Sequence, residues 1–355
     1  MKALLLAGGR GTRLLPLSNT TAKHLIPVAN KPIIFYALDR IERAGIRQIG
    51  IIVSPETDTS IKKEVGDGSR WNAEITYILQ SKPMGIAHAI SLSRNYIGES
   101  PFLTFLGDNI IQGDIRWLIN DYKNHNPDAL VLLKEVDNPS AFGVAEVDSY
   151  GDIKYVVEKP ERYCSNMALV GIYVFNSAIF RAIDRIKPSR RGELEITDAI
   201  QELLMMNKAV RSNVLAGWWL DTGTKESVLE ANSAVLSCFT KKDIRGNVDT
   251  KSSIIGLVAI NPGAEIHCSR IEGPAIIAGD CRISNSDIGS YTSIGSGTVI
   301  DRSRVSNSVL MEGCTISMVN ELKDSIIGKR SKVLGGHESL ARVSLCIGDN
   351  SVFKP

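Results

Sequence analysis

The sequence predicts an α/β domain built on a mainly parallel sheet, followed by a parallel β-helix. Two observations carry this reading. Residues 1 to about 238 alternate short apolar runs with amphipathic helical segments, which yields a sheet covered by helices on both faces. From about residue 250 the helical period vanishes, and aliphatic residues return every 17 positions.

In chain order, "KALLLA" is a short buried first strand. "KPIIFYALDRIERAGI" reads as a helix: Pro32 suits a first turn, Ile34, Leu38 and Ile41 share a face, and Gly45 closes the end. "IRQIGIIVS" is the next strand, "GIAHAISLSRNYI" a helix, and "PFLTFLGDN" a strand ending in an acid. "DALVLLKEV", "IKYVVEKP" and "ALVGIYVFN" are further strands. "ITDAIQELLMM" is helical, with Ile196, Ala199, Ile200, Leu203 and Leu204 on one side. The polar stretch "FTKKDIRGNVDTKSS" is the expected junction. The expected domains are therefore 1–238, a linker at 239–253, and 254–355.

In the last part three rows keep the 17-residue period: Ile260, Ile277, Ile294 and Met311; Ile271, Ile288, Val305 and Leu322; Ile266, Ile283 and Ile300. Neighbouring rows are mostly six or five residues apart, so each coil has three short sides with one inward aliphatic apiece. About four regular coils are visible.

With 355 residues, 43% hydrophobic and 23% charged, the chain is long enough for two domains with real cores. A net charge of +2 is too small to suggest a nucleic-acid or membrane partner held by bulk electrostatics. No apolar run approaches the roughly 18 residues of a membrane span. The first apolar run is shorter than the roughly 7–15 residues of a secretion signal. Six cysteines without a CxxC pair point to a reducing cytoplasm and away from zinc.

The residues after the first strand carry the chemistry. Gly8, Gly9 and Gly11 let backbone amides approach a phosphate with no Cβ in the way. Arg13 can fork onto phosphate oxygens, and Lys23 supplies a second cation. This is no Walker loop, because no Gly-Lys-Ser or Gly-Lys-Thr follows. It is no dinucleotide fingerprint either: Leu14 stands where a third glycine belongs. Two acids, Asp108 in "FLGDN" and Asp221 in "WWLDTGT", end strands far apart in sequence and are hard oxygen ligands of the type that suits Mg²⁺. His88, on a predicted helix, reads as a packing or capping residue, and His337 lies beyond the regular coils.

"LAGGRGTRLLPLSNTTAKHLIPVANKPII" resembles the signature of the sugar-phosphate nucleotidylyltransferases, most closely the glucose-1-phosphate thymidylyltransferases of the long form. That likeness covers the whole chain, including the ending "LCIGDNSVF", and "SIGSGTVI" resembles the left-handed β-helix of hexapeptide-repeat proteins. The resemblance implies a Rossmann-like catalytic domain and a left-handed β-helix. It implies transfer of a nucleotidyl group from dTTP, or alternatively UTP, to glucose 1-phosphate, releasing pyrophosphate with Mg²⁺ as cofactor.

It also implies roles. Arg13, Lys23 and Lys159 are the catalytic cations, and Asp108 and Asp221 hold the metal. Leu6, Gly8, Gly9, Gly11, Thr12, Arg13, Gln80, Pro83, Gly85 and Asp108 surround the nucleotide, with Gln80 on the pyrimidine edge. Lys23, Asn109, Gly143, Glu158, Lys159, Leu169, Tyr173 and Arg191 surround the sugar phosphate. Leu169 stands where short forms tend to carry valine, and His24 where glutamine is common; both bear on sugar choice. A homo-oligomer held partly through the β-helix is expected, with no nucleic-acid or membrane partner. Two rivals share the architecture. One is a bifunctional enzyme whose β-helix transfers acetyl groups, for which His267 is the sole histidine within the coils. The other is a regulatory subunit with a degraded phosphate loop, against which intact Arg13, Lys23, Asp108, Lys159 and Asp221 argue.

Overall fold

The apolar runs of the first part become strands, the central ones buried on both faces and the outer ones partly exposed. In the computed structural model, which describes residues 1–336 and 342–354, these are β1 (Lys2–Leu6), β2 (Gln48–Val53), β3 (Glu74–Leu79), β4 (Phe102–Leu106), β5 (Ala129–Glu135), β6 (Gly143–Val147), β7 (Ile153–Glu158), β8 (Met167–Phe175) and β9 (Val210–Val214). Two compact units result: Met1–Arg10 with Ile34–Trp219, and Gly11–Ile33 with Leu220–Pro355. The expected split at 238 and the observed grouping therefore differ in where residues 11–33 and 220–238 belong.

In the first unit the sheet runs β7-β6-β8-β4-β1-β2-β3, with β5 beside β8 and β9 beside β5. β1 is parallel to β2 and β4, and β2 to β3. β8 is antiparallel to β4, β5 and β6, so the sheet is mixed, with its parallel pairs concentrated in the first half of the unit. The helices include α1 (Ile33–Arg43), α2 (Asp58–Val65), α3 (Ile86–Leu92), α4 (Arg116–His125) and α5 (Ile196–Met205), with shorter ones at Arg94–Ile97 and Ala178–Ile183. Gly45 follows α1 with φ 80°, as its closing role requires. The segment expected as one helix at "GIAHAISLSRNYI" breaks at Ser93, whose hydroxyl donates to the Ile90 carbonyl at 2.7 Å. On α5, Ile196, Ala199, Ile200 and Leu203 are buried, while Leu204 packs half-buried. They pack among Phe102, Phe175 and Phe180, with Phe102 stacked on Phe180 at 5.7 Å. Burial of each such side chain contributes about 1.5–3 kcal/mol.

In the second unit α6 (Lys225–Phe239) starts on a reciprocal cap: the Ser227 amide donates to the Thr224 hydroxyl, and the Thr224 amide to the Ser227 hydroxyl. A parallel β-helix follows. Two of its faces hold seven strands and the third five. Its first rung starts at Asp243–Ile244, inside the stretch expected as a junction, and the rungs exceed the four coils visible in sequence. The aliphatic rows stack as expected through Ile260, Ile277 and Ile294, but the next partner is Leu310 and not Met311. That coil is one residue short, as the pairing of Ile300 with Ile316 also shows. Ser269, Ser286 and Ser303 form a ladder at one corner, each hydroxyl accepting from a backbone N–H one coil on at 3.1 Å. The period thus serves polar satisfaction as well as packing. The final step is longer, Ile327 pairing with Ile347. His337 lies outside the described residues. Among the described residues no helix is long and apolar enough to cross a membrane.

Candidate active site

The parallel strands of the first unit share one carboxyl edge, where α/β sheets bind ligands. β1 leads into Gly8 and Gly9, β3 into Gln80, and β4 into Asp108. The ladder continues past the strands: Ala7 donates to Ile52 at 2.8 Å, Gly107 to Leu6 at 2.9 Å, and Gln80 to Val53 at 2.8 Å. Leu6 is buried at the end of β1. Thr57 donates its hydroxyl to the Ala7 carbonyl at 3.3 Å, bracing the start of the glycine loop, and Arg10 pairs with Glu56 at 2.9 Å.

Gln80 is buried, and its side chain is fixed. Nε2 donates to the Gly85 carbonyl at 3.3 Å and to His88 Nδ1 at 3.0 Å, so both amide hydrogens are engaged. Oε1 is left to accept. A Cβ placed on Gly8 would lie 3.0 Å from that oxygen. Gly85 has φ 97° and packs on Leu194, so no side chain fits there. Pro83 is exposed in the connecting turn. His88 is therefore more than a packing residue: it orients the amide. Burial lowers its pKa, favouring the neutral ring that can accept. Its place eight residues after Gln80, within reach once "MGIA" turns the chain, is the signal that sequence reading missed.

Asn109 is buried between two partners. Its Nδ2 donates to Asp108 Oδ1 at 3.0 Å, and its Oδ1 accepts from Trp219 Nε1. Expected beside the sugar, it also holds the Asp108 carboxylate in place.

A second cluster lies on β6, β7 and α5. The Glu158 carboxylate accepts from Arg191 Nη2 at 3.1 Å and from the Thr197 hydroxyl at 3.3 Å. Arg191 also reaches Glu195 at 2.8 Å, and so bridges two acids. Burial, then the neighbouring Glu195, raises the Glu158 pKa, while Arg191 and Lys159 pull it down. A Cβ on Gly143 would lie 3.0 Å from Glu158 Oε2, so glycine keeps that oxygen open. Lys159 follows with φ 42° and its ammonium 3.9 Å from Glu158. Tyr173 is buried, and burial followed by Glu158 raises its hydroxyl pKa. Leu169 is buried in β8, opposite Leu133, on the other side of a register shift from Tyr173. Glu195 and Thr197 were missed because "GELEITDA" reads as an ordinary helix start.

In the second unit Gly11 has φ 66° and lies against Lys23: a Cβ there would meet Lys23 Cβ at 2.9 Å. Its carbonyl accepts from the Leu14 amide at 2.9 Å and the Ser18 hydroxyl at 2.8 Å. Thr12 and Arg13 are exposed in the short turn that follows. Arg13 and Asp221 flank one point: a Cβ on Gly223 would lie 2.5 Å from Arg13 Nη2 and 3.3 Å from Asp221 Oδ1. Among the described residues no group of three or more His, Cys, Asp or Glu forms a metal cage. Strand-end carboxylates in ones or twos fit an ion that typically takes one or two of them plus substrate oxygens and water.

The nucleotidyl transferase family model matches residues 2–237. A glucose-1-phosphate thymidylyltransferase of Streptomyces griseus is 43% identical over 99% of this chain and 98% of its own. The low-salt glycan biosynthesis nucleotidyltransferase Agl11 of Haloferax volcanii is 39% identical over the full length of both. Among solved structures, a Bacillus anthracis chain described as a glucose-1-phosphate thymidylyltransferase matches with TM-score 0.62 and 38% identity, over 66% of this chain and 94% of its own.

Proposed function

This chain belongs to the nucleotidyl transferase family, and we propose that it joins dTTP and glucose 1-phosphate to give dTDP-glucose and pyrophosphate. One observation carries the choice of base: the fixed amide of Gln80, whose carbonyl oxygen faces the glycine loop as an acceptor. Thymine and uracil carry a ring N–H at the edge such an acceptor meets; cytosine carries a lone pair there. The methyl that separates thymine from uracil is worth only about 1–3 kcal/mol, so UTP is the expected second substrate.

A phosphate oxygen of glucose 1-phosphate attacks the α-phosphorus in line. The new P–O bond forms as the bond to the β-phosphate oxygen breaks, and its electron pair leaves with pyrophosphate. The protein positions two anions and offsets their repulsion. The amides at Gly8, Gly9 and Gly11 approach the triphosphate, with Leu6, Thr12 and Pro83 lining it. Arg13 stabilises charge on the leaving pyrophosphate, Lys23 lies between the α-phosphate and the incoming phosphate, and Lys159 holds the sugar phosphate. Interactions that strengthen as charge shifts raise the rate. Glu158 accepts from sugar hydroxyls, with Arg191 fixing its orientation and Gly143, Leu169 and Tyr173 shaping its surroundings. Asp108, steadied by Asn109, and Asp221 are the proposed Mg²⁺ ligands. Bound Mg²⁺ supplies positive charge to phosphate oxygens.

Pyrophosphate release from the purified chain tests this, scored over dTTP, UTP, CTP, ATP and GTP with several sugar 1-phosphates. The expected result is highest kcat/KM for dTTP with glucose 1-phosphate and negligible rate with CTP. A preference for CTP or a purine would overturn the role given to Gln80.

A further inference from the structure

The β-helix bonds directly to the loop that carries the cations. Residues 11–26 contain only three single turns, Thr12–Leu14, Leu17–Asn19 and Lys23–Leu25, a poor basis for holding a lysine in one place. Yet the loop groups with the coils, and bonds fix it on both sides of Lys23.

On the near side the last coil supplies Asp349. Its Oδ2 accepts from the Thr21 hydroxyl at 3.1 Å, and its backbone N–H donates to the Thr20 hydroxyl at 3.0 Å. Oδ1 accepts from the Lys329 amide at 2.8 Å, which ties the carboxylate into its own coil. Gly348 leaves room for this approach: a Cβ there would lie 3.2 Å from both the Pro16 carbonyl and the Thr20 hydroxyl.

On the far side Ala29 and Asn30 make a two-residue turn between Val28 and Lys31, with φ 47° and 60°. Alanine in that region is strained and persists only where surroundings fix it. The Ala29 amide donates to Asn232 Oδ1 at 2.8 Å. Asn232, on α6 and fully buried, also accepts from the Ser293 hydroxyl at 2.6 Å and donates to the Tyr291 carbonyl at 2.9 Å. Asn30 donates to the Ile294 carbonyl at 2.8 Å. Ser293 and Ile294 belong to the same stacked face that leads into Asp349.

We propose that the β-helix sets the position of Lys23, with Asp349 and Asn232 as positioning residues for phosphoryl transfer. This rests on the role given to Lys23 above. The coils then act in catalysis with no ligand of their own. A shift of about 1 Å in a catalytic group costs up to roughly 10²-fold in rate.

The test compares D349A, D349N and N232A with D324A in the full chain. Asp324, one coil earlier, accepts from Asn307 at 2.8 Å and Arg342 at 2.6 Å and bonds neither Thr20 nor Thr21, and so controls for loss of coil bonds away from the loop. Each is scored for kcat and KM with dTTP and glucose 1-phosphate, and for amide hydrogen exchange over residues 11–33. D349A and N232A are expected to lose about 10-fold in kcat, with KM for dTTP within about threefold, because Gln80 is untouched. Exchange of residues 16–32 is expected to quicken in both. D349N retains an acceptor and a polar partner for Thr21 and is expected to recover most of the loss; D324A is expected to match the wild type in kcat. Unchanged kcat in D349A and N232A, or an equal loss in D324A, overturns the proposal. A wild type that releases no pyrophosphate with any pair overturns the function itself, while the exchange arm still reports whether the clamp exists.

Discussion

The two units fix their candidate site groups by different physical means. In the first unit the groups sit at the ends of sheet strands, and hydrogen bonds fix them: Gln80 by Gly85 and His88, Asp108 by Asn109, Glu158 by Arg191 and Thr197. In the second, Arg13 and Lys23 ride on a loop of single turns whose order comes from bonds to α6 and the coils. Sheet-end groups suit recognition, because their geometry exists before substrate arrives. Loop cations suit charge that shifts during reaction, provided something rigid holds the loop.

The sharpest way to break this comparison is at the metal. D108N is expected to lower kcat by about 10²–10³-fold with the melting temperature little changed, read from steady-state rates and thermal unfolding. D221N is expected to do the same, and either variant near full rate removes that residue from the metal. Next in size is R13A, for which a loss of about 10²-fold in kcat is expected, since stabilisation of the leaving group is felt in the transition state.

In the first unit Q80A and H88A are expected to act on affinity. Losing a buried hydrogen-bond partner costs about 1–3 kcal/mol, so KM for dTTP rises roughly 10-fold with kcat nearly kept. The His88 contribution carries a pH sign. The neutral ring accepts from Gln80; a protonated Nδ1 would face an amide N–H with another. Burial lowers the pKa of His88, so KM for dTTP stays flat through the ordinary imidazole range and rises only at more acid pH. The smallest effect concerns Glu158, whose pKa is raised by burial and then by Glu195. A protonated carboxyl loses acceptor capacity, so KM for glucose 1-phosphate rises as pH falls, beginning above the usual carboxylate range. R191Q removes a group that lowers this pKa and is expected to move the rise to still higher pH, seen as a shifted KM profile.

Much of this was legible in the sequence because the signals were local. Three glycines after an apolar strand, and aliphatics at a 17-residue spacing, each follow from one element's own geometry. What escaped was set by distant partners or by single-residue irregularities. No pattern in "SNTTAK" says that Thr21 bonds to Asp349, 328 residues away. His88 read as packing because its partner Gln80 precedes an irregular turn. Met311 was expected in the aliphatic row because one short coil is invisible to a fixed period, and Leu310 holds the place instead.

The division of labour between recognition and charge is tested most directly by K23A, measured for kcat and KM at saturating Mg²⁺. The account predicts a fall in kcat of about 10²-fold with KM for dTTP within about threefold of the wild type. A raised KM with kcat unchanged would contradict it, since Lys23 would then merely bind the nucleotide.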